Sequence, residues 1–160
     1  VVNFLYYLTF ASTLGSGLLA GVFFTFSAFV MTSLSRLPAD QSISAMQSIN
    51  STILQSLFML VFMGTTILSV VLGVASFFKS GTHSAAYVII GSLFIFIGVF
   101  LVTAVFNVPL NNSLAAVSPG AAEGPQVWSE YIAGWVPWNH VRTISSIAAL
   151  ISFMIAIRKW

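Results

Sequence analysis

From Phe4 to Ser35 the chain carries no charged side chain. A helix needs about 20 residues to cross the hydrocarbon of a bilayer, so this run is longer than one crossing and is expected to tilt or to project beyond it. The rest of the sequence cannot hide such a segment in water. Of 160 residues, 58 % are hydrophobic and only 5 % charged, where a soluble domain has roughly a quarter charged. Mean hydropathy is +1.02. The expected fold class is therefore all-α: a polytopic membrane protein, built as an antiparallel bundle of four transmembrane helices in a single domain.

The spans are expected at about 4–35, 53–78, 85–106 and 137–157. Gly17 and Gly21 form a GxxxG in the first, with Ser16 and Ala20 as a second small pair, a pattern that lets helix backbones approach within the bundle. Pro38 suits a helix start, and the helix it opens is polar from Gln41 to Ser51 before turning apolar at Ile53. Lys79-Ser80-Gly81-Thr82-His83 reads as a tight turn. Residues 113–136 read as an outer loop with an interfacial segment: small and flexible to Gln126, then Trp128, Tyr131, Trp135 and Trp138 at headgroup level. Arg158-Lys159-Trp160 forms a basic, aromatic anchor. The chain starts at Val1, and its first segment lacks the cleavage pattern of a signal peptide.

Lys79, Arg158 and Lys159 lie at one side of the bundle, Arg36 and Arg142 at the other with Asp40, Glu123 and Glu130. The positive-inside rule then places both termini in the cytoplasm of an inner-membrane, multi-pass protein. Membrane lipid is the expected surroundings. The net charge of +2 rests on too few groups to imply nucleic acid.

Most of the polar side chains gather at one end of the helices. Gln47, Asn50, Thr103, Asn107, Asn111, Asn139, His140 and Arg142 all fall on the side opposite the termini, where each is costly without a partner or a wet cavity. Thr103, Asn107 and Asn111 recur every four residues along one helical stripe. Pro109 removes a backbone hydrogen bond there, so the stripe reads either as a site or as a capped, kinked helix end. With Pro137 at the first position of the fourth helix, Asn139, His140, Arg142 and Thr143 would face the positive end of the helix dipole, suited to an anionic oxygen. Arg142 snorkelling to a headgroup and a satisfied interfacial His140 are the bland alternatives. Trp138 and the phenylalanines of the first span, Phe24 among them, would wall a flat aromatic ligand or simply pack.

The chain has no cysteine, which removes disulfides and thiolate metal sites. One histidine on the polar side cannot complete a zinc set within the chain. No cofactor is expected, with axial haem ligation by His140 or a metal shared between subunits left open. No carboxylate lies within a span, which argues against a proton-driven transporter.

Gly17-Leu-Leu-Ala-Gly-Val-Phe-Phe-Thr-Phe-Ser27, Ala45-Met-Gln-Ser-Ile-Asn50, Phe106-Asn-Val-Pro-Leu-Asn111 and Trp138-Asn-His-Val-Arg-Thr143 together resemble the anthrone oxygenase-like family of small four-helix membrane proteins, many of them bacterial. The resemblance spans nearly the whole chain, and its last two motifs are the most specific. It implies oxidation of an anthrone to an anthraquinone by molecular oxygen without a recognised cofactor, with Asn107, Asn111, Asn139, His140 and Arg142 at the family's polar positions. The resulting expectation is a membrane-embedded oxygenase of a flat phenolic, anthrone-like or quinol-like compound. His140 would be the base and Arg142 the stabiliser of the enolate. Gln47, Asn50, Thr103, Asn107, Asn111 and Asn139 would hold the substrate, while Phe24 and Trp138 would stack on its ring. A non-catalytic lipid- or quinone-binding subunit of a larger membrane assembly is the alternative, and a homo-oligomer is compatible with either.

Overall fold

Residues 2–78 and 83–159 are described by a computed structural model, which is entirely helical among them apart from short turns. Of the expected turn at 79–83, residues 79–82 lie outside the described residues, as does the terminal Trp160, while His83 already opens a helix. Helix α1 runs Val2–Thr25, passes through a π-helical turn at Phe26–Val30 and ends in Met31–Leu34. Helix α2 is Ala39–Ile53 and α3 is Leu57–Phe77. Helix α4 comprises His83–Leu93, π-helical stretches at Phe94–Leu101 and Thr103–Asn107, and Val108–Ala115; α5 is Gly124–Arg158. All but α2 contain a stretch long and apolar enough to cross a membrane: Phe4–Leu34, Leu57–Phe77, Ser84–Ala115 and Gly124–Arg158.

Small residues set how these helices meet. Gly15 of α1 lies against Thr65 of α3, Gly73 of α3 against Ser92 of α4, and Gly98 of α4 against Ser145 of α5; a side chain at Gly98 would collide with that serine. Gly91 meets Phe153 and Gly17 meets Leu150. Numbering rises on one helix as it falls on its neighbour across α1–α3, α4–α5 and α1–α5, so the bundle is antiparallel with α1, α3, α4 and α5 in ring order. Several hydroxyl side chains along the seams fold back onto their own helices, as Thr9 does to the Leu5 carbonyl and Thr66 to that of Phe62. That back-bonding satisfies them without an interhelical partner. Of the GxxxG pair, Gly17 touches α5 while Gly21 is exposed with nothing near it.

The bundle has two hydrophobic cores. One holds Leu19, Phe62, Leu72, Val88, Ile95 and Phe153. Around it the surface is an apolar belt, with Leu14, Leu57, Leu60, Ile67, Phe94, Phe106 and Ile144 all exposed, as lipid contact requires. The 21 residues of α3 span roughly 30 Å, one hydrocarbon thickness. Beyond its Ser56 end, α1, α4 and α5 continue and join α2 in a cap. The cap is built on the second core, of Met31, Ile43, Met46, Leu114, Trp128, Tyr131 and Trp135. Asp40, Gln41, Ser44, Ser48, Gln126 and Glu130 cover its outside.

Two expected boundaries move. The polar and apolar parts of the expected second helix are separate helices, broken at 54–56, and Ser56 caps the second by accepting a hydrogen bond from the Phe58 amide. Helix α5 begins at Gly124 rather than near Pro137, and Pro137 lies inside it. Trp128, Tyr131 and Trp135 are consequently buried in the cap core. Their spacing explains why. Trp128, Tyr131, Trp135, Asn139, Arg142 and Ser146 make one unbroken stripe at helical period that passes straight across the proline.

Candidate functional site

Between the two cores lies a cavity of about 340 Å³ walled by all five helices. Its sides are aromatic and aliphatic: Phe23, Phe26, Met46, Phe58, Phe62 and Trp135. Polar groups enter at few points, chiefly Gln47, Asn50, Thr103, Asn111, Asn139 and Arg142. An apolar chamber with a few convergent polar groups has the form of a small-molecule site.

Arg142 dominates its electrostatics. The residue is only 5 % exposed. Its guanidinium carbon sits 4.5 Å from the Phe23 ring centroid and 4.9 Å from that of Trp135, within the range where a ring face attracts a cation. One terminal nitrogen donates to Asn139 Oδ1 at 2.8 Å and the other to Thr103 Oγ1 at 3.4 Å. The Nε–H is buried without an acceptor. All these partners are neutral, and no carboxylate lies among the described lining residues. A buried charge without a countercharge is costly, so an anion entering this cavity would meet an attraction that nothing inside already satisfies.

Neighbouring side chains hold that cation in place. Asn139 donates to the Phe23 carbonyl at 2.8 Å and to Ser27 Oγ at 2.7 Å, tying α5 to α1 beside its π-helical turn. Thr103 Oγ1 donates back to the Val99 carbonyl at 2.7 Å, which leaves its lone pairs toward Arg142. Asn111 Oδ1 accepts from the Tyr131 hydroxyl and the Trp135 indole at 2.9 and 3.0 Å, fixing which end of that amide is free. Asn50 lines the cavity with its Nδ2 buried and unsatisfied. Gln47 Nε2 donates to the Leu114 and Val117 carbonyls at 2.8 and 2.9 Å, closing α2 against the end of α4.

Gln47, Asn50, Thr103, Asn111, Asn139 and Arg142 are thus brought together, and the remaining expected residues are not. Asn107 is 1 % exposed but does not line the cavity; its Nδ2 donates to the Trp135 carbonyl at 3.3 Å. The π-helical winding from Thr103 to Asn107 adds a residue to the turn and rotates Asn107 off the stripe. Trp138 stacks on Phe106 with ring centroids 3.6 Å apart, at the edge of the belt. Phe24 is exposed, while Phe23 faces the chamber. His140 is exposed and absent from the cavity wall; on a helix it stands about 100° from Asn139. Since α5 starts at Gly124, this segment also lies in mid-helix, where the dipole of a helix end does not act. Of the two faces over Arg142, Phe23 is one of the first-span phenylalanines expected to wall a ligand, while Trp135 was not expected there, although it stands in the stripe that crosses Pro137.

Among the described residues no group of three His, Cys, Asp or Glu side chains is placed to hold a metal. A family model described as anthrone oxygenase matches residues 58–152. That stretch includes Thr103, Asn111, Trp135, Asn139 and Arg142 and leaves out α1 and α2. No curated protein and no solved structure matches the chain.

Proposed function

The chain belongs to the anthrone oxygenase family, and on that premise we propose that its cavity binds a flat phenolic or anthrone-like carbon acid as the anion and lets it react with molecular oxygen. The observation that carries this reading is the buried, uncompensated guanidinium of Arg142 between two aromatic rings. The anionic oxygen lies toward the guanidinium, and the ring system against Phe23 and Trp135. Asn50 and Asn111 provide further donors to ring oxygens. A preorganised cation in a largely apolar chamber stabilises charge that develops on oxygen far better than water does.

The chemistry balances without a further reductant. Loss of a proton from the methylene between two aryl rings gives an aromatic enolate, which transfers an electron to dioxygen. Recombination forms a carbon–oxygen bond at that carbon. Loss of its remaining hydrogen with cleavage of the oxygen–oxygen bond leaves a ketone and expels one water. Both methylene hydrogens end in the water, and the two oxygen atoms divide between product and water. His140 lies outside the chamber, so the first proton passes to water and the protein supplies the countercharge. Turnover then rises with pH as the substrate ionises.

Oxygen uptake with an anthrone, in the presence of a chelator, tests this. We expect Arg142→Gln to lose roughly a hundredfold or more in rate, and His140→Ala to match wild type. An Arg142→Gln variant as fast as wild type would sink the assignment. The lack of a titratable base among the described lining residues favours a second reading, a cavity that binds such an anion without turning it over. Binding without uptake in the wild type would select it.

A further inference from the structure

Of the residues lining the cavity, only Ser51 on α2, Leu54 just past its end, and Val108, Asn112 and Ala115 on α4 are exposed; the rest are buried or half-buried. These two helices pack against each other, so the mouth is the gap between α2 and α4. At the cap end this gap is fastened by Gln47, which donates to the Leu114 and Val117 carbonyls. At the other end it meets the apolar belt. Leu54 is followed by exposed Leu57 and Leu60, and Val108 is preceded by exposed Val105 and Phe106. The rim is accordingly divided, with Ser51 and Asn112 on the cap side and Leu54 and Val108 on the belt side. A mouth serving water would leave those two apolar side chains exposed at a cost, whereas acyl chains cover them at none.

We propose that this gap is a lateral portal to the bilayer, and that the site takes membrane-dissolved amphiphiles. The oxygenated aromatic ring sits inside against Arg142, and an apolar substituent lies out across Leu54 and Val108 among the acyl chains. This rests on the reading of the cavity as an aromatic-anion site and adds the route and the amphiphilic class. It makes the ligand's substitution pattern matter. An alkyl chain on the edge that faces α2 and α4 is accommodated, because it leaves through the mouth, while bulk on the opposite edge meets Phe23 and Trp135.

The chain has no cysteine, so a single introduced thiol is a unique label site. Val108→Cys, reconstituted in vesicles, is reacted with pyrene maleimide, and association of an alkyl-substituted anthrone is followed by quenching of tryptophan fluorescence. Ser44→Cys, exposed on the outside of the cap, carries the same label as the control. We expect labelled Val108→Cys to associate roughly tenfold or more slowly than its unlabelled form, and labelled Ser44→Cys to be unaffected. Equal rates for labelled and unlabelled Val108→Cys overturn the portal while leaving the aromatic-anion reading intact. A sulfonated, membrane-excluded anthrone that associates as fast as the alkyl compound overturns the bilayer route. Wild-type protein that binds neither compound overturns the portal together with the reading on which it rests.

Discussion

Thr103 Oγ1 stands 3.4 Å from one terminal nitrogen of Arg142 and lines the same chamber, so its identity decides whether the cation is free. A carboxylate at this position would pair with the guanidinium and neutralise the site from within. Thr103→Asp is therefore expected to weaken binding of an anionic anthrone by about two orders of magnitude, the scale on which close charge pairs count at buried interfaces, without loss of fold. Titration of the purified variant checks it, and undiminished affinity would show that the ligand does not depend on the Arg142 charge. At this scale the sequence was legible in kind but less so in direction. Polar residues gathered at one end were a sound signal of a chamber, since Gln47, Asn50, Thr103, Asn111, Asn139 and Arg142 all reach it. Which neighbour points inward depends on helix phase. Phase placed Phe23 inside and Phe24 out, and a π-helical turn rotated Asn107 away from Thr103 and Asn111.

Helix ends were harder to read than helix existence, because the same residues can serve opposite ends. Tryptophans beside a flexible stretch anchor spans at headgroups in many membrane proteins; here Trp128 and Trp135 also pack into the second core of the bundle. Pro137 looked like a start because proline is favoured at the first helical turn; within α5 it removes one hydrogen bond and crowds the carbonyl one turn back, yet the helix continues through it. Of the expected small pairs, Ser16 and Ala20 are buried and Gly17 meets Leu150, but Gly21 stands open. The close approach of α4 to α5 lies at Gly98, against Ser145, one turn from Arg142. Gly98→Val is expected to destabilise the bundle by about 1–3 kcal/mol through overpacking, and Gly21→Val, with open space around it, to change nothing measurable. Thermal unfolding of the two variants in one detergent makes the comparison. Equal midpoints would mean that α4 and α5 do not rely on this contact.

For the molecule as a whole, the two cores imply two solvents. The belt around Leu19, Phe62 and Phe153 is dressed for acyl chains, whereas the cap around Met46, Trp128 and Trp135 carries Asp40, Gln41, Gln126 and Glu130 on its outside. A cavity at their junction can hold a hydrophobic ring while keeping its charged oxygen near the interface, where ionisation costs less than in mid-bilayer. That arrangement depends on the cap standing clear of the hydrocarbon, and the tryptophans report on it. Trp138 stacks on the exposed Phe106 at the belt edge, while Trp128 is buried inside the cap. In variants that retain one tryptophan each, lipids brominated on the upper part of the acyl chain are expected to quench Trp138 strongly and Trp128 little. Comparable quenching of both would place the cap within the bilayer. The polar outer residues of α2 and α5 would then have to face protein instead of water, and only a partner subunit could supply it.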